Sequence, residues 1–163
     1  MTNTATKSKT VVERTYKASV AELWDLWTTK EGFESWWGPV GFRVEVRTME
    51  GKLGGAMFYD MIANAPEQIA EMKRQGFAVQ HKTRGRFGEY EKHKRLVLNH
   101  VIDFLPGVRH YESTIEVDFY PKGNETRMVV TLHAMHDEKF TGMAVEGFTS
   151  QLSKLDDRFG WAK

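Results

Sequence analysis

The chain has 163 residues, 23 basic and 22 acidic side chains, no cysteine, and an aromatic content of 12%. This length predicts one domain with a substantial core, and a net charge of +1 gives no overall field that would recruit nucleic acid or an anionic membrane. Without cysteine, disulfides, thiol nucleophiles and thiolate metal sites are excluded. The aromatic content exceeds the needs of a minimal core, so we expect some rings to line a cavity.

The chain begins with a polar segment. Residues 1–10, MTNTATKSKT, contain no apolar run, which predicts a flexible lead-in rather than a signal peptide or membrane anchor, and a cytoplasmic protein. Residues 11–163 are predicted to form a single domain, because no linker rich in proline, glycine or serine divides them. The alternating segment VVERTYK, residues 11–17, predicts the first strand.

Two short helices are predicted after this strand. Ser19 precedes Glu22 by three positions, the capping-box spacing that opens a helix through VAELWDLWTT. A second helix is predicted over residues 30–36. It ends before Gly38-Pro39, because the residue before a proline disfavours helical geometry.

The adjacent pair Trp36-Trp37 stands at the end of this second helix. Neighbouring side chains at a helix end point in different directions, so both rings cannot enter the core equally. We expect one ring to turn into the core and the other toward a cavity mouth or solvent.

The pattern then changes to period two. FRVEVRTM, residues 42–49, predicts a half-buried strand, and AMFYDMIA, residues 56–63, predicts its hairpin partner after the glycine-rich turn GKLGG. An inserted helix is predicted over residues 66–76, with proline near its start and glycine near its end. We expect this helix to cover the mouth of a pocket as a mobile lid.

Further strands and a long helix complete the chain. Strands are predicted over residues 82–92, 95–104, 111–121 and 127–135, and a helix over 137–159 because apolar residues recur there every three or four positions. This order predicts an α+β fold: a curved antiparallel sheet packed against the long C-terminal helix, with the helix pair closing one end. Such an arrangement leaves an internal space suited to a ligand.

Several motifs in this order resemble one protein family. RTYKASVAELWDLWT, WWGPVGF, GGAMF and the GF pair in VEGFTSQLSKLDD resemble the activator of heat-shock-protein-90 ATPase homologue-like family, over about residues 11–159. The family belongs to the SRPBCC superfamily, also called START-like or Bet v-like, so the resemblance implies a helix-grip fold. Two features depart from the family pattern: Gly147-Phe148 replaces a frequent Gly-Trp, and the insertion at 66–77 is unusually long.

The resemblance implies a fold more directly than an activity, because relatives include carriers of hydrophobic molecules, polyketide cyclases and a cochaperone. We expect a small hydrophobic or aromatic ligand in a cavity between sheet and helix. The predicted cavity residues are Trp27, Phe33, Trp36, Trp37, Phe58, His100, Phe104, Tyr111, Ile115, Met128, Met143 and Phe148. The alternatives are a cyclase, dehydratase or hydrolase acting in the same pocket, and a partner-binding module that stimulates a chaperone ATPase.

The positions of the histidines in the sequence limit the kinds of site that they can form. His100 alternates in phase with Leu98 and Ile102, so it is the histidine expected to face inward and to orient a ligand or move a proton. His133 and His136 lie three apart in a predicted strand and point to opposite faces. We therefore predict no metal site and no cofactor.

One segment is locally basic. Residues 82–95 carry six Lys or Arg and two Glu, with aromatic residues between them. At alternating strand positions these charges are typical of a solvated hairpin face, so nucleic-acid binding is not expected. Membrane insertion and a chaperone partner are not expected either, and a homodimer is compatible with the sequence.

Overall fold

The computed structural model describes residues 9–103 and 107–161. Within them lie seven strands and four helices. In chain order the elements are β1 (Lys9–Tyr16), α1 (Val20–Thr28), α2 (Lys30–Glu34), β2 (Phe42–Met49), β3 (Ala56–Ala63), α3 (Pro66–Arg74), β4 (Gln80–Glu91), β5 (Arg95–Ile102), β6 (Tyr111–Lys122), β7 (Glu125–His133) and α4 (Glu138–Phe159).

The strands form one antiparallel sheet in the order β1-β7-β6-β5-β4-β3-β2. Consecutive strands from β2 to β7 pair as a meander, and β1 pairs with β7, the last strand. Register shifts between Val46 and Thr48 and between Phe87 and Glu89 place irregularities in β2 and β4, which bend and twist a sheet locally. The predicted curved sheet with a long C-terminal helix and two early short helices is confirmed.

The helix pair is built by side-chain caps. The Ser19 hydroxyl accepts from the Glu22 N–H, and the Glu22 carboxylate accepts from the Ser19 N–H, which completes the predicted capping box. Thr29 caps α2 by accepting from the N–H of Gly32. Helix α2 is two residues shorter than predicted, because the N–H groups of Trp36 and Trp37 both donate to the Phe33 carbonyl in a closing turn.

Helix α4 is fixed at both ends. The Asp137 carboxylate caps its first turn by accepting from the Phe140 N–H at 2.7 Å. Gly160 ends the helix with a φ of +73°, a left-handed conformation that glycine adopts without steric cost. Phe148, Leu152 and Leu155 are fully buried, so the middle and C-terminal turns of α4 pack into the core.

The inserted helix α3 joins β3 to β4 on the outside of this core. None of its residues is fully buried. It ends at Arg74, two residues before the predicted boundary, and Gly76 follows with a φ of +79°. In the described parts of the chain, no helix has the length and apolar character needed to cross a membrane.

Candidate functional site

An apolar cavity of about 410 Å³ lies between the sheet and α4. Its walls come from the turn after α2, from strands β2, β3, β4, β6 and β7, from the end of α3 and the segment after it, from the segment after β7, and from α4 as far as Gln151. The lining residues are Trp37, Pro39, Phe42, Met61, Met72, Phe77, Ala78, His81, Ser113, Thr114, Ile115, Leu132, His133, Met135, Phe140, Met143, Ala144, Gly147, Phe148 and Gln151.

Helix α4 presents one face to this cavity. Phe140, Ala144, Phe148 and Gln151 follow one another at spacings of four, four and three residues, which places them along one side of the helix, with Gly147 beside Phe148. Beyond Gln151 the same side of α4 continues into the solid core. One helix therefore serves as both cavity wall and core element.

Four methionines contribute to the cavity walls. Met61, Met72, Met135 and Met143 reach it from β3, α3, the segment after β7 and α4. Methionine is unbranched and has three rotatable bonds, so it adjusts to irregular shapes more readily than leucine or isoleucine. These walls can therefore adapt to ligands of different outline.

Trp36 and Trp37 take different positions. Trp36 is fully buried and donates its indole N–H to the Leu26 carbonyl at 2.8 Å. Trp37 is 5% exposed and lines the cavity. Both rings therefore belong to the core cluster, and Trp37 also lines the cavity instead of turning toward solvent.

A buried polar chain lies behind Trp37. The Trp37 indole N–H donates to the Tyr59 hydroxyl at 3.1 Å, and that hydroxyl lies 2.9 Å from Nε2 of His100. Burial lowers the pKa of His100 to about 4 and raises the pKa of Tyr59. Both side chains are therefore neutral at pH 7, and their hydrogen bonds satisfy groups that would be costly to leave unpaired in the core.

Gln151 is the polar residue of α4 that reaches the cavity. Its Oε1 accepts from the N–H of Gly38 at 2.9 Å, and its side chain is almost completely buried at 3% exposure. Its Nε2 has no hydrogen-bond partner, and no other buried side-chain nitrogen or oxygen in residues 9–103 and 107–161 is in that condition. This buried amide nitrogen is therefore a donor without a protein acceptor.

Four of the twelve predicted cavity residues line this cavity: Trp37, Ile115, Met143 and Phe148. Four others lie in the solid core and are not among its lining residues: Trp27, Phe33, Trp36 and Met128. Side-chain contacts explain their position. The indole N–H of Trp27 points at the Met128 sulfur, 3.4 Å away, and Phe33 stacks on Trp37 with ring centres 4.5 Å apart.

Three further predicted residues lie elsewhere. Phe58 is 42% exposed, because the alternation of β3 turns its neighbours Met57 and Tyr59 inward. His100 faces inward as expected, but it contacts Tyr59 and is not among the residues that line the cavity. The Tyr111 hydroxyl lies 2.8 Å from Nδ1 of His136. The twelfth residue, Phe104, lies outside the described residues.

Sequence reasoning missed much of the α4 wall and three of the four methionines, Met61, Met72 and Met135. Gln151 follows Phe148 by three positions, so helical periodicity alone places it beside the apolar stripe. A buried glutamine in a stripe of apolar residues was therefore a usable signal. No comparable signal marked Met61 or Met135, whose inclusion depends on how the strands curve.

Three of the six basic side chains in the locally basic segment form ion pairs in the fold. Arg84 lies 3.0 Å from Asp103, and Arg86 lies 3.2 Å from Glu112. Arg95 contacts three carboxylates at 2.8 to 3.0 Å: Glu89, Glu116 and Asp118. These pairs reduce the local positive potential on this face of the sheet.

In the part of the chain that the structure describes, the histidine side chains do not come together at one site. Strand β7 ends at His133, so His136 lies beyond the strand and the predicted opposition of the two within one strand is corrected. Nε2 of His133 lies 2.5 Å from the Glu116 carboxylate, and hydrogen bonds from Arg95 and His133 hold the pKa of Glu116 at about 2. Residues 9–103 and 107–161 contain no group of three His, Asp or Glu arranged to hold a metal ion.

Solved structures share this architecture. A protein from Chromobacterium violaceum superposes with a TM-score of 0.72 at 14% identity, covering 93% of this chain and 97% of its own. The AHSA1 protein from Silicibacter pomeroyi gives a TM-score of 0.72 at 18% identity, covering 94% and 98%. A protein from Arthrobacter aurescens gives a TM-score of 0.69 at 22% identity, covering 91% and 83%. At these identities the similarity establishes the fold.

A sequence comparison establishes the family. The search among proteins of curated function found no match. A family model described as "Activator of Hsp90 ATPase homolog 1-like protein" matches residues 17–160, which include both helices of the pair, the WWGP turn, the whole cavity lining and α4. The chain therefore belongs to the Activator of Hsp90 ATPase homolog 1-like family, within the SRPBCC superfamily.

Proposed function

We propose that this protein binds a small hydrophobic molecule in the cavity between the sheet and α4. The observation that carries the proposal is the cavity itself: about 410 Å³ lined mainly by aromatic, aliphatic and methionine side chains. Ligand pockets have this character, with apolar walls and a small number of placed polar groups. A solid core would have filled this volume with side chains at close to crystal density.

The proposal includes a role for α3 at the cavity mouth. Met72 near the end of α3 and Phe77 just after it line the cavity together with Trp37. No α3 residue is fully buried, so opening this helix breaks few contacts, and low local contact density is typical of segments that open. We therefore retain the hypothesis that α3 covers the entrance as a mobile lid.

The enzymatic alternative receives less support. It relied on His100 as an acid-base group, yet His100 does not line the cavity and its Nε2 is engaged with Tyr59. With its pKa lowered by burial to about 4, His100 is also a weak base at neutral pH. Binding requires only the cavity, whereas catalysis also requires a reactive group in it, and the histidines that line it, His81 and His133, are not the one proposed from the sequence.

Thermal denaturation with diphenylmethane, an apolar two-ring probe, tests the proposal. A ligand that binds only the folded state at tenfold excess over Kd raises stability by about 1.4 kcal/mol, which corresponds to roughly 3–6 °C in Tm for a chain of this length. Tryptophan fluorescence should change in the same titration, because Trp37 lines the cavity.

Two variants locate the binding. Ala144→Glu places a carboxylate in the cavity and should weaken diphenylmethane binding by more than about tenfold. Gly142→Glu places the same side chain on the exposed side of α4, where a Cβ meets no other group within 4 Å, and should leave binding unchanged. Equal effects of the two variants, or no response of the unmodified protein to apolar probes, would refute the proposed function.

A further inference from the structure

The sheet has two edge strands, which differ in how their outer edges are covered. Strand β2 forms one edge. There the Val46 N–H donates to the Glu34 carboxylate at 2.7 Å, and Nζ of Lys30 donates to the Val46 carbonyl at 3.2 Å. The register shift between Val46 and Thr48 interrupts the same strand. Cover and irregularities of this kind hinder the addition of a further strand to an edge.

Strand β1 forms the other edge and has no such cover. It pairs with β7 along the whole of Lys9–Tyr16 without a register shift, and its bonds to α4 come from the side chains of Arg14 and Tyr16. Within the described residues, the bond to its backbone from outside β7 is one from Nη1 of Arg14 to the Glu13 carbonyl. That oxygen has two lone pairs and can accept a second bond. A regular edge of this kind presents unpaired backbone groups to another strand.

The exposed side chains of β1 follow a symmetric pattern. Lys9, Val11 and Glu13 alternate on the exposed face of the strand, and Val11 is 58% exposed. Lys9 lies 3.6 Å from Glu116 and Glu13 lies 3.3 Å from Arg127, in partly exposed ion pairs that contribute little to stability. Two opposite charges therefore stand at equal distances on either side of an exposed apolar residue.

We propose that the edge of β1 binds the same edge of a second copy of this chain, in an antiparallel pairing centred on Val11. A two-fold axis at Val11 places the two Val11 side chains opposite each other and Lys9 of each copy opposite Glu13 of the other. The pairing joins two exposed valines, forms two ion pairs between the copies and continues the sheet across the axis. This surface is separate from the cavity, so the inference does not depend on the proposed function.

The order of the charges selects this register. An axis at Thr10 would place Val11 opposite Lys9, and an axis at Val12 would place Val11 opposite Glu13. Both alternatives set an apolar side chain against a charge and leave the other charge without its partner. Pairing along one strand buries less surface than a standard interface of about 1,600 Å². We therefore expect a weak dimer whose population rises between micromolar and submillimolar protein concentrations.

Sedimentation equilibrium of the full chain measures the dimer Kd. Val11→Lys sets two like charges together at the axis and should weaken dimerisation by more than about tenfold. Val40→Lys is the matched control, because Val40 is 57% exposed and precedes β2, and it should leave the Kd unchanged. A monomer at every concentration, or equal effects of the two substitutions, would overturn the second copy as the occupant of this edge.

A charge exchange separates pairing between copies from effects within one copy. Lys9→Glu and Glu13→Lys each create two like-charge contacts across the axis, and each should weaken dimerisation by about tenfold. The double variant restores opposite charges and should return the Kd to within about threefold of the unmodified protein. Both intrachain pairs stay broken in the double variant. If it dimerised more weakly than either single variant, the proposed pairing would be wrong.

Cysteine cross-linking tests the register directly. The chain has no cysteine, so each single variant carries one thiol. Opposite Cα atoms in an antiparallel pair lie about 4.5–5.5 Å apart, within the range of about 4.4–6.8 Å that a disulfide spans. With oxidised glutathione, Val11→Cys should form a linked dimer, whereas Lys9→Cys and Glu13→Cys should link to each other rather than to themselves. Linking of Val11→Cys no faster than that of Val40→Cys would overturn the proposal.

Discussion

His100 is held in its neutral form inside the protein. It is 7% exposed, and its neighbours Trp37 and Tyr59 supply a stacked ring and a hydroxyl but no negative charge. Burial penalises the charged imidazolium, which lowers the pKa of His100 to about 4. The effect on the free energy of unfolding appears at acidic pH, because the unfolded chain then binds a proton at this histidine that the folded protein does not bind.

We expect His100→Gln to flatten the pH dependence of stability. A histidine whose folded pKa lies below its unfolded value of about 6.5 stabilises the fold fully above that pH and loses its contribution as pH falls toward 4. The loss over this range is about 3 kcal/mol. Glutamine retains an acceptor for Tyr59 without titrating, so urea denaturation from pH 7 down to about pH 4 should show a shallower decline.

The control for this prediction is His110→Gln, which changes an exposed histidine. Its stability profile should follow that of the unmodified protein. If His100→Gln and His110→Gln gave parallel profiles, the burial of a neutral His100 would not contribute to acid sensitivity.

Single residues also show which features of the cavity could not be predicted from the sequence. Alternation placed His100 on the inner face, and His100 is buried in the structure. Alternation could not show which inward side chains line the cavity and which pack against other side chains. That depends on the volumes of the side chains around each position. Phe58 was predicted to line the cavity, whereas the strand register exposes it, buries its neighbour Tyr59 and pairs the Tyr59 hydroxyl.

At the scale of elements, α4 combines two roles that differ in their packing. Its first half leaves space beside Ala144 and Gly147, and its second half fills the core with Leu152 and Leu155. A glycine in a helix interior reduces stability relative to alanine, since it loses more backbone entropy on folding. Gly147 therefore maintains cavity volume at a cost in helix stability.

We expect Gly147→Ala to stabilise the protein and shrink the cavity. A Cβ at this position would lie 3.5 Å from the Pro39 ring, an ordinary contact, so the change should add about 0.5–1 kcal/mol to the free energy of unfolding. The added methyl group occupies cavity space. Across a series of n-alkylbenzenes, affinity should stop rising about one methylene earlier than in the unmodified protein.

Gly142→Ala supplies the matched control. It lies in the same helix, and a Cβ there meets nothing within 4 Å. The variant should show a similar gain in urea denaturation and an unchanged dependence on alkyl length. Identical ligand profiles for Gly142→Ala and Gly147→Ala would mean that the space beside Gly147 does not receive ligand.

Most elements were predictable because their signals are local. The capping box at Ser19 fixed the start of α1, and the three-and-four spacing of apolar residues defined α4. The end of α2 was placed two residues late, since a closing turn and a further helical turn carry the same residue pattern. The contribution of α3 to the cavity depends on how residues 66–77 fold back over the sheet, which local pattern does not specify.

At the scale of the whole molecule, the fold is closed by contacts between its first strand and its last helix. The Tyr16 hydroxyl on β1 donates to Asp156 on α4 at 2.6 Å, and Nε of Arg14 donates to the same carboxylate oxygen at 3.1 Å. Burial, and then the bond to Asp156, raises the pKa of Tyr16, so the hydroxyl remains a donor at neutral pH. These bonds join segments about 140 residues apart and hold α4 against the edge of the sheet.

We expect Asp156→Ala to destabilise the protein by about 1–3 kcal/mol, because it leaves the Tyr16 hydroxyl and the Arg14 guanidinium partly buried without their acceptor. Asp156→Asn keeps one acceptor oxygen and should cost less. Asp157→Ala removes an exposed carboxylate from the next position and should change stability by under about 0.5 kcal/mol. Because α4 is both core and cavity wall, the Asp156→Ala loss should appear as one cooperative transition in urea, seen equally by tryptophan fluorescence and far-ultraviolet circular dichroism. Separate transitions by the two probes would show that α4 detaches before the sheet unfolds.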